Sequence, residues 1–410
     1  RILVEQLNDP GCKLIVTTIQ KLNTAISHRR YQKAIAGLRE KKIVFNFDEC
    51  HRSQFGDTHQ RICDFFVRRQ MFGFTGTPIF DENAVKTKQG LKTTEHLFGR
   101  PLHKYIITDA IKDRNVLRFA MEIRKAHATF SDSGIGSENT ETLNDKHYLS
   151  SEKRIQAVVD DLVSIHNKKT HNRRYTAMMC VNSVDDLMTY YRLLSTSQID
   201  STTPLRLATI FSCSGGDNDE FDGVSEQDGV TEINPEKLDS QGSQRFQFLK
   251  GCVDNYNLMQ HTSHDVKDTE GFYRYYQDIS KRVRSKDIDI LIVVNMFLTG
   301  FDSPALNTLY VDKSLKNQGL IQAFSRTNRV LDVQKSHGNI VCYRELKGAT
   351  DAALAIFANR YSKSNAGEII NDVIIAPYEE LKQRFNEQVN ILNTHVKTPA
   401  DVDNLIKIGR

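Results

Sequence analysis

The stretch Ile43-Val44-Phe45-Asn46-Phe47-Asp48-Glu49-Cys50-His51-Arg52 decides the reading of this chain. An apolar run that ends in two adjacent carboxylates reads as a buried strand carrying acids to its C-terminal tip. Open α/β sheets take their ligands at that end of the strands. An NTPase needs one acid there to hold Mg2+, which prefers oxygen ligands and keeps much of its water, and a second to polarise an attacking water. Asp-Glu is also a common surface dipeptide; the apolar run before it and Cys-His after it set this pair apart. Asn46 fits poorly. A strand buried on both faces calls for an aliphatic there, and a buried Asn needs partners for its amide.

Working outward, Leu14-Ile15-Val16-Thr17-Thr18 reads as a further buried strand, and Gln20 to about Lys41 as a basic helix. His59 to Arg69 has helical spacing, and Met71 to Phe74 is again a strand, ending in Thr75-Gly76-Thr77-Pro78. Gly76 permits a tight backbone and Pro78 ends the strand; the threonine hydroxyls are placed to bond to the Asp-Glu pair. Strand, helix and strand in alternation predict βαβ units and a parallel sheet. The pattern recurs later: helix over Tyr148 to His166, strand Thr176 to Val181, helix Val184 to Leu194, then strands Leu205 to Phe211, Ile288 to Val294 and Thr308 to Val311, and a helix from about Asn317. Ser131 to Asp145 reads as a loop. Ser212 to Gln244 is strongly acidic and reads as a surface insertion.

The expected architecture is α/β, with two parallel-sheet domains followed by a helical segment. The expected divisions are 1–108, then 109–365 with the insertion 212–244, then 366–410. With 410 residues, 39 % of them hydrophobic and 26 % charged, the chain can bury a large core. Its net charge of +4 sets up no global basic field, so any nucleic-acid contact must come from local patches. No apolar run reaches the ~18–20 residues that cross a bilayer. Seven widely spaced cysteines without a CxxC pair argue against structural zinc and a disulfide framework, and for small buried hydrophobes in a reducing cytoplasm.

Two further constellations carry chemistry: Leu298-Thr299-Gly300-Phe301-Asp302-Ser303-Pro304, and Gln322-Ala323-Phe324-Ser325-Arg326-Thr327-Asn328-Arg329. Arg326 and Arg329, spaced i, i+3, can point one way from a helix. Guanidinium groups facing a triphosphate from a second domain stabilise charge during phosphoryl transfer.

In this order the four constellations resemble a superfamily 2 helicase-type motor of the DExH kind. Asp48 to His51 is similar to motif II, Thr75 to Pro78 to motif III, Leu298 to Pro304 to motif V and Gln322 to Arg329 to motif VI. Ile15 to Leu22 sits where motif Ib lies. The wording FDECHRSQFGD, FGFTGTPIF, LIVVNMFLTGFDSPALNTLYVDK and LIQAFSRTNRV resembles the motor (R, HsdR) subunit of type I restriction enzymes over essentially the whole chain.

The resemblance implies that Asp48 holds Mg2+ through water and that Glu49 is the catalytic base. It makes Arg326 and Arg329 finger and sensor. It has His51, Thr75, Gly76, Thr77, Gly300, Asp302 and Gln322 couple the ATP site to the second domain. Thr18, Gln20, Asn182 and Thr299 would face the DNA backbone. It implies ATP and Mg2+ as cofactors, and double-stranded DNA with methyltransferase and specificity subunits as partners. The resemblance also implies that both sheet domains are RecA-like and that the first is N-terminally truncated, and the implied activity is ATP-driven translocation coupled to cleavage.

One departure is large. No GxxxxGK[ST] occurs in the 410 residues, so the backbone phosphate cradle and its lysine are missing. The family's pattern places that loop, and its nuclease carboxylates, upstream of Arg1. The expectation is that these residues alone do not hydrolyse ATP. Two other readings stay open: another superfamily 2 helicase, or a nucleic-acid-binding module that kept the fold and lost the chemistry.

Overall fold

The computed structural model describes residues 2–51, 57–87, 90–124, 148–199, 201–213, 240–359, 366–376 and 378–395. Arg52, the stretch 131–145, residues 214–239 of the acidic insertion and the residues after His395 lie outside them. The last part of the expected insertion is helical from Ser240.

In the first unit α1 (Ile2–Asn8), α2 (Ile19–Ser27), α3 (Arg29–Ile35), β1 (Ile43–Phe47), α4 (Asp57–Phe65) and β2 (Arg69–Gly73) follow one another. β1 and β2 pair in parallel, with Phe47 opposite Gly73. Their core is separate from that of the second unit and gathers Leu22, Ile26, Ile35, Ile62 and Phe66.

Three expectations are corrected here. Leu14–Thr18 is not a strand: it has no ladder partner, and Leu14 and Val16 are 81 % and 91 % exposed. A β-branched pentapeptide stays extended coil unless a neighbour takes up its backbone groups. The basic helix expected from Gln20 to about Lys41 is broken at His28, whose extended backbone both ends α2 and precedes α3. β1 is half-buried on alternate residues rather than covered on both faces, and Asn46 is on its exposed side. The amide that looked out of place is thus open to solvent and needs no buried partner.

A short antiparallel hairpin, β3 (Val85–Thr87) with β4 (Gly90–Lys92), and α5 (Thr94–Phe98) lead toward the second unit. That unit holds α6 (Ile107–Lys112), β5 (Phe119–Ile123), α7 (Glu152–Lys169), β6 (Thr176–Val181), α8 (Val184–Thr196), β7 (Leu207–Thr209), α9 (Ser240–Gln260), α10 (Thr269–Ser285), β8 (Ile290–Val293), β9 (Leu306–Asp312), α11 (Asn317–Phe324), β10 (Gly338–Cys342), α12 (Lys347–Leu354), α13 (Ala366–Val373) and β11 (Ile374–Ile375). α14 (Tyr378–His395) closes the described chain.

Seven strands form one sheet in the order β11-β5-β10-β9-β6-β8-β7, and every pairing is parallel. This is the expected RecA-like α/β arrangement. Every residue of β6, β8, β9 and β10 is buried, which is why runs such as TAMMCV and ILIV lack alternation. Helices cover both faces through apolar stripes at helical spacing, such as Ile155, Val158, Val159 and Leu162 on α7. In this unit Ser183 Oγ caps α8, accepting from Asp186 N at 3.0 Å, and Asp268 Oδ1 caps α10, accepting from Gly271 N at 2.7 Å.

All seven cysteines are free, and Cys50, Cys180, Cys213, Cys252 and Cys342 are buried. Burial pushes the Cys50, Cys180 and Cys252 thiols up to about 12 and Cys213 to about 11. They are inert space-fillers, as expected. No described helix is long and apolar enough to cross a membrane.

Candidate functional site

β1 ends at Phe47, and the chain turns at once. Glu49 adopts a left-handed backbone (φ 46°), an uncommon conformation for a non-glycine residue. Asp48 Oδ1 accepts from the Glu49 N–H at 3.0 Å. The turn is tied to the neighbouring strand by Phe74 N to Phe47 O at 2.8 Å and Cys50 N to Phe74 O at 3.0 Å. Asp48 is left exposed at the strand tip and Glu49 half-buried.

His51 is fully buried. Its Nδ1 lies 2.8 Å from Thr75 Oγ1 and 3.4 Å from Glu49 Oε2. Gln322 comes from α11 of the second unit. Its Nε2 lies 2.9 Å from His51 Nε2 and donates to Thr77 Oγ1 at 2.7 Å. With the amide nitrogen placed toward the imidazole, His51 Nε2 accepts and its proton is on Nδ1, on the side of Thr75 and Glu49. The Thr77 N–H also donates to Thr75 Oγ1, at 3.0 Å. The threonine hydroxyls therefore meet His51 and Gln322, not the Asp48-Glu49 carboxylates as expected. Gly76 has neither a positive φ nor any atom that a Cβ would meet, so a tight backbone is not what calls for glycine there.

The arginines are placed differently from the expectation as well. α11 ends at Phe324, and Arg326 and Arg329 lie beyond it in a turn held by Thr327, whose Oγ1 donates to Phe324 O at 2.9 Å. Arg329 forms an antiparallel bridge with Val116. Both side chains still converge, on the loop Thr299–Asp302. Arg326 Nη1 donates to Phe301 O, and Arg329 Nε donates to Asp302 Oδ1 at 2.7 Å. Burial and the Arg329 charge lower Arg326 to about 10, while Glu49 and Asp302 work the other way. Arg326 thus stays cationic at neutral pH and feels the Glu49 carboxylate across the cleft.

The loop itself turns on Gly300 (φ 68°) after Phe297 (φ 66°). Phe297 is buried, stacked on Tyr276 at 4.4 Å between ring centroids.

Gly338, at the start of β10, fixes the arginine turn from behind. A Cβ there would lie 2.2 Å from Thr327 Oγ1 and 2.9 Å from Thr327 Cβ. Gly338→Ala is therefore expected to push the turn aside and destabilise the protein by about 1–3 kcal/mol, read by thermal denaturation.

The four candidate DNA-facing residues are dispersed. Thr18 and Gln20 are exposed, but the Thr18 Oγ1 is already used as the N-cap of α2, accepting from Lys21 N at 3.3 Å. Asn182 follows β6 and is half-buried, with an Oδ1 that has no hydrogen-bond partner among the described residues. Thr299 is half-buried beside Gly300. Lys335, which the sequence did not single out, sits directly behind the arginine turn.

Among the described residues no group of three or more His, Cys, Asp or Glu could cage a metal. The donor set at the β1 tip is one exposed carboxylate, Asp48. That fits Mg2+, which keeps several waters and takes one or two protein oxygens.

Known proteins resemble this chain along most of its length. A family model described as type I restriction enzyme subunit R domain 3 matches residues 173–345, and one described as SWI2/SNF2 ATPase matches residues 1–154. A type I restriction enzyme endonuclease subunit from Staphylococcus aureus is 39 % identical over 98 % of this chain. The HindI type I restriction enzyme endonuclease subunit of Haemophilus influenzae is 26 % identical over 94 % of it. The chain spans 40 % and 33 % of the lengths of these two relatives. A solved fragment described as an HsdR subunit of a type I restriction enzyme, from Vibrio vulnificus, aligns over 80 % of this chain and 49 % of its own, with a TM-score of 0.44 and 15 % identity. With 39 % identity over 98 % of its own length and a subunit R domain matched over its second sheet, the chain is homologous to part of the endonuclease (HsdR) subunits of type I restriction enzymes.

Proposed function

We propose that this chain is the motor part of such a subunit. It would use ATP and Mg2+ to translocate on double-stranded DNA, in a cytoplasmic complex with methyltransferase and specificity subunits where translocation leads to cleavage. The observation that carries the reading is the bridge from Gln322 to both His51 and Thr77, at 2.9 and 2.7 Å. It ties the acid-bearing strand tip of one unit to the arginine-bearing segment of the other through buried polar contacts. We assign 1–108 and 109–365 to the two motor domains and 366–410 to the start of a helical region.

In this reading Asp48 holds Mg2+ through water. Bound Mg·ATP would supply the terminal phosphoanhydride whose hydrolysis to ADP and phosphate drives the cycle. Glu49 takes the proton of the attacking water, with its Oε2 3.4 Å from His51 Nδ1. Arg326 and Arg329 face the same cleft and stabilise negative charge as it develops. Gln322, His51, Thr75 and Thr77 report that state to the loop carrying Thr299, Gly300 and Asp302. Contacts by Thr18, Gln20, Asn182 and Thr299 would be to the DNA backbone, so binding should weaken with salt and show little sequence preference.

The test is displacement of a third strand from duplex DNA, with ATP, by the complex assembled on the full-length subunit. Displacement without strand separation is expected, and no ATP hydrolysis by the 410 residues alone, which lack a GxxxxGK[ST] segment. Unwinding of the duplex would instead point to a helicase of another branch.

A further inference from the structure

The geometry points to Lys335 as a positioning residue that clamps the main chain of the loop ending at Leu306 to the main chain of the arginine turn, so that the two move as one body; this rests on the function proposed above. Lys335 is 2 % exposed. Its Nζ donates to Pro304 O, Leu306 O and Arg329 O, each at 2.8 Å. An ammonium has three N–H donors, and these three carbonyls take all of them.

The lysine is delivered by its own turn. Asp332 Oδ1 accepts from Gln334 N at 3.1 Å and Lys335 N at 3.0 Å. The same carboxylate is anchored to the start of β6, by Tyr175 OH at 2.6 Å and Arg174 Nη2 at 3.2 Å. Burial and the Arg329 charge lower the Lys335 ammonium to about 7, opposed by Asp332 and Asp302; the three carbonyl dipoles also favour the cation. Placing an ammonium in such surroundings is costly unless it is fully bonded. An apolar chain of similar length would fill the same space without that cost. What the lysine adds is three directed bonds between two loops.

These bonds differ in kind from the other links between the loops. Arg326 to Phe301 O and Arg329 to Asp302 use the arginine side chains. Those links must open if the guanidinium groups swing to a phosphate. The lysine binds only backbone carbonyls, so it survives that swing. The arginine turn and the Gly300–Leu306 loop then stay in register while their side chains change partners, and a displacement of one loop is passed to the other.

Two variants test this in the complex built on the full-length subunit. Lys335→Met removes the three donors, and Tyr175→Phe keeps the lysine but loosens the turn that delivers it. Hydrogen exchange should accelerate in both segments together, 300–306 and 326–330, more in Lys335→Met than in Tyr175→Phe. DNA-stimulated kcat for ATP should fall at least ~10-fold in Lys335→Met with KM for ATP within about twofold, since misplacing a catalytic group by about an ångström costs up to ~100-fold. Unchanged exchange in a folded Lys335→Met protein, acceleration in one segment only, or an unchanged kcat would overturn the clamp. If the unmodified complex shows no DNA-stimulated ATPase, the functional reading fails, and the exchange data still decide whether the two loops are joined.

Discussion

Glu49→Gln in the full-length subunit is expected to lower DNA-stimulated ATP hydrolysis by about 100-fold or more, the range over which a positioned general base acts, while ATP and DNA still bind. The substitution preserves shape. Gln has the length of Glu, and neither residue is favoured over the other at the left-handed backbone that Glu49 adopts (φ 46°), so the turn is expected to remain. The contact with His51 Nδ1 at 3.4 Å also survives, because the amide oxygen can accept as the carboxylate does. What is lost is a base able to take a proton, and the negative charge that Arg326 feels across the cleft. Single-turnover and steady-state ATPase assays, beside nucleotide-binding measurements, separate the steps. A hydrolysis rate unaffected by Glu49→Gln would favour the non-catalytic nucleic-acid-binding reading over the motor.

Asp312→Ala is the change expected to cost the most stability. Asp312 ends the buried strand β9 and is 2 % exposed. Its carboxylate takes Arg154 in a two-pronged contact, Nη1 and Nη2 each at 2.9 Å, with Arg344 Nε at 2.9 Å and Tyr190 OH at 2.7 Å. One side chain thus joins α7, α8 and the end of β10 at the C-terminal edge of the sheet, next to Asn182. Removing it leaves the Arg154 guanidinium, itself 3 % exposed, without its counter-charge. Breaking a buried pair in this way costs about 3–5 kcal/mol, a fall in melting temperature on the order of 10 °C.

The pH dependence has a definite sign. Burial acts to raise the Asp312 carboxyl, but Arg154, Arg344 and Tyr190 outweigh it and hold it below its ordinary value. The contribution is therefore complete above the unfolded carboxyl's pKa of about 4 and is lost as pH falls through the lower folded value. Melting temperatures measured from pH 7 down to pH 3 should show the gap between wild type and Asp312→Ala narrowing on the acid side. A constant gap would mean that packing, not charge, holds this corner.

Much of the fold was legible because buried parallel strands have a plain signature. TAMMCV, ILIV and LNTLYVD are continuous apolar or β-branched runs, and covering helices show a 3.6-residue stripe. The acid pair and the Thr75–Pro78 turn could be assigned to strand tips for the same reason. Leu14–Thr18 carries an identical local signal and is coil. Local β-propensity reports what a side chain would do in a ladder, not whether a ladder is there to join. Asn46 misled in the opposite direction, because whether a strand is covered on one face or two depends on elements far away in the chain. β5 and β10 were missed: FAMEI contains a Glu, and GNIVC opens on a glycine whose necessity comes from Thr327, a contact only the folded chain makes.

Sequence alone determined the residue types and order of the chemistry: carboxylates at Asp48 and Glu49, hydroxyls at Thr75 and Thr77, and arginines at Arg326 and Arg329. It also set the parallel α/β class, because strand and helix periodicities are local properties of the chain. Only the tertiary structure decided which of these groups meet. It put Gln322 between His51 and Thr77, took the two arginines off the helix and turned them onto the Thr299–Asp302 loop, and buried Lys335 behind them on three carbonyls. Those pairings join residues separated by up to 271 positions. They are set by how two cores pack across a cleft and by which buried polar atoms must find partners there, and no local pattern records that.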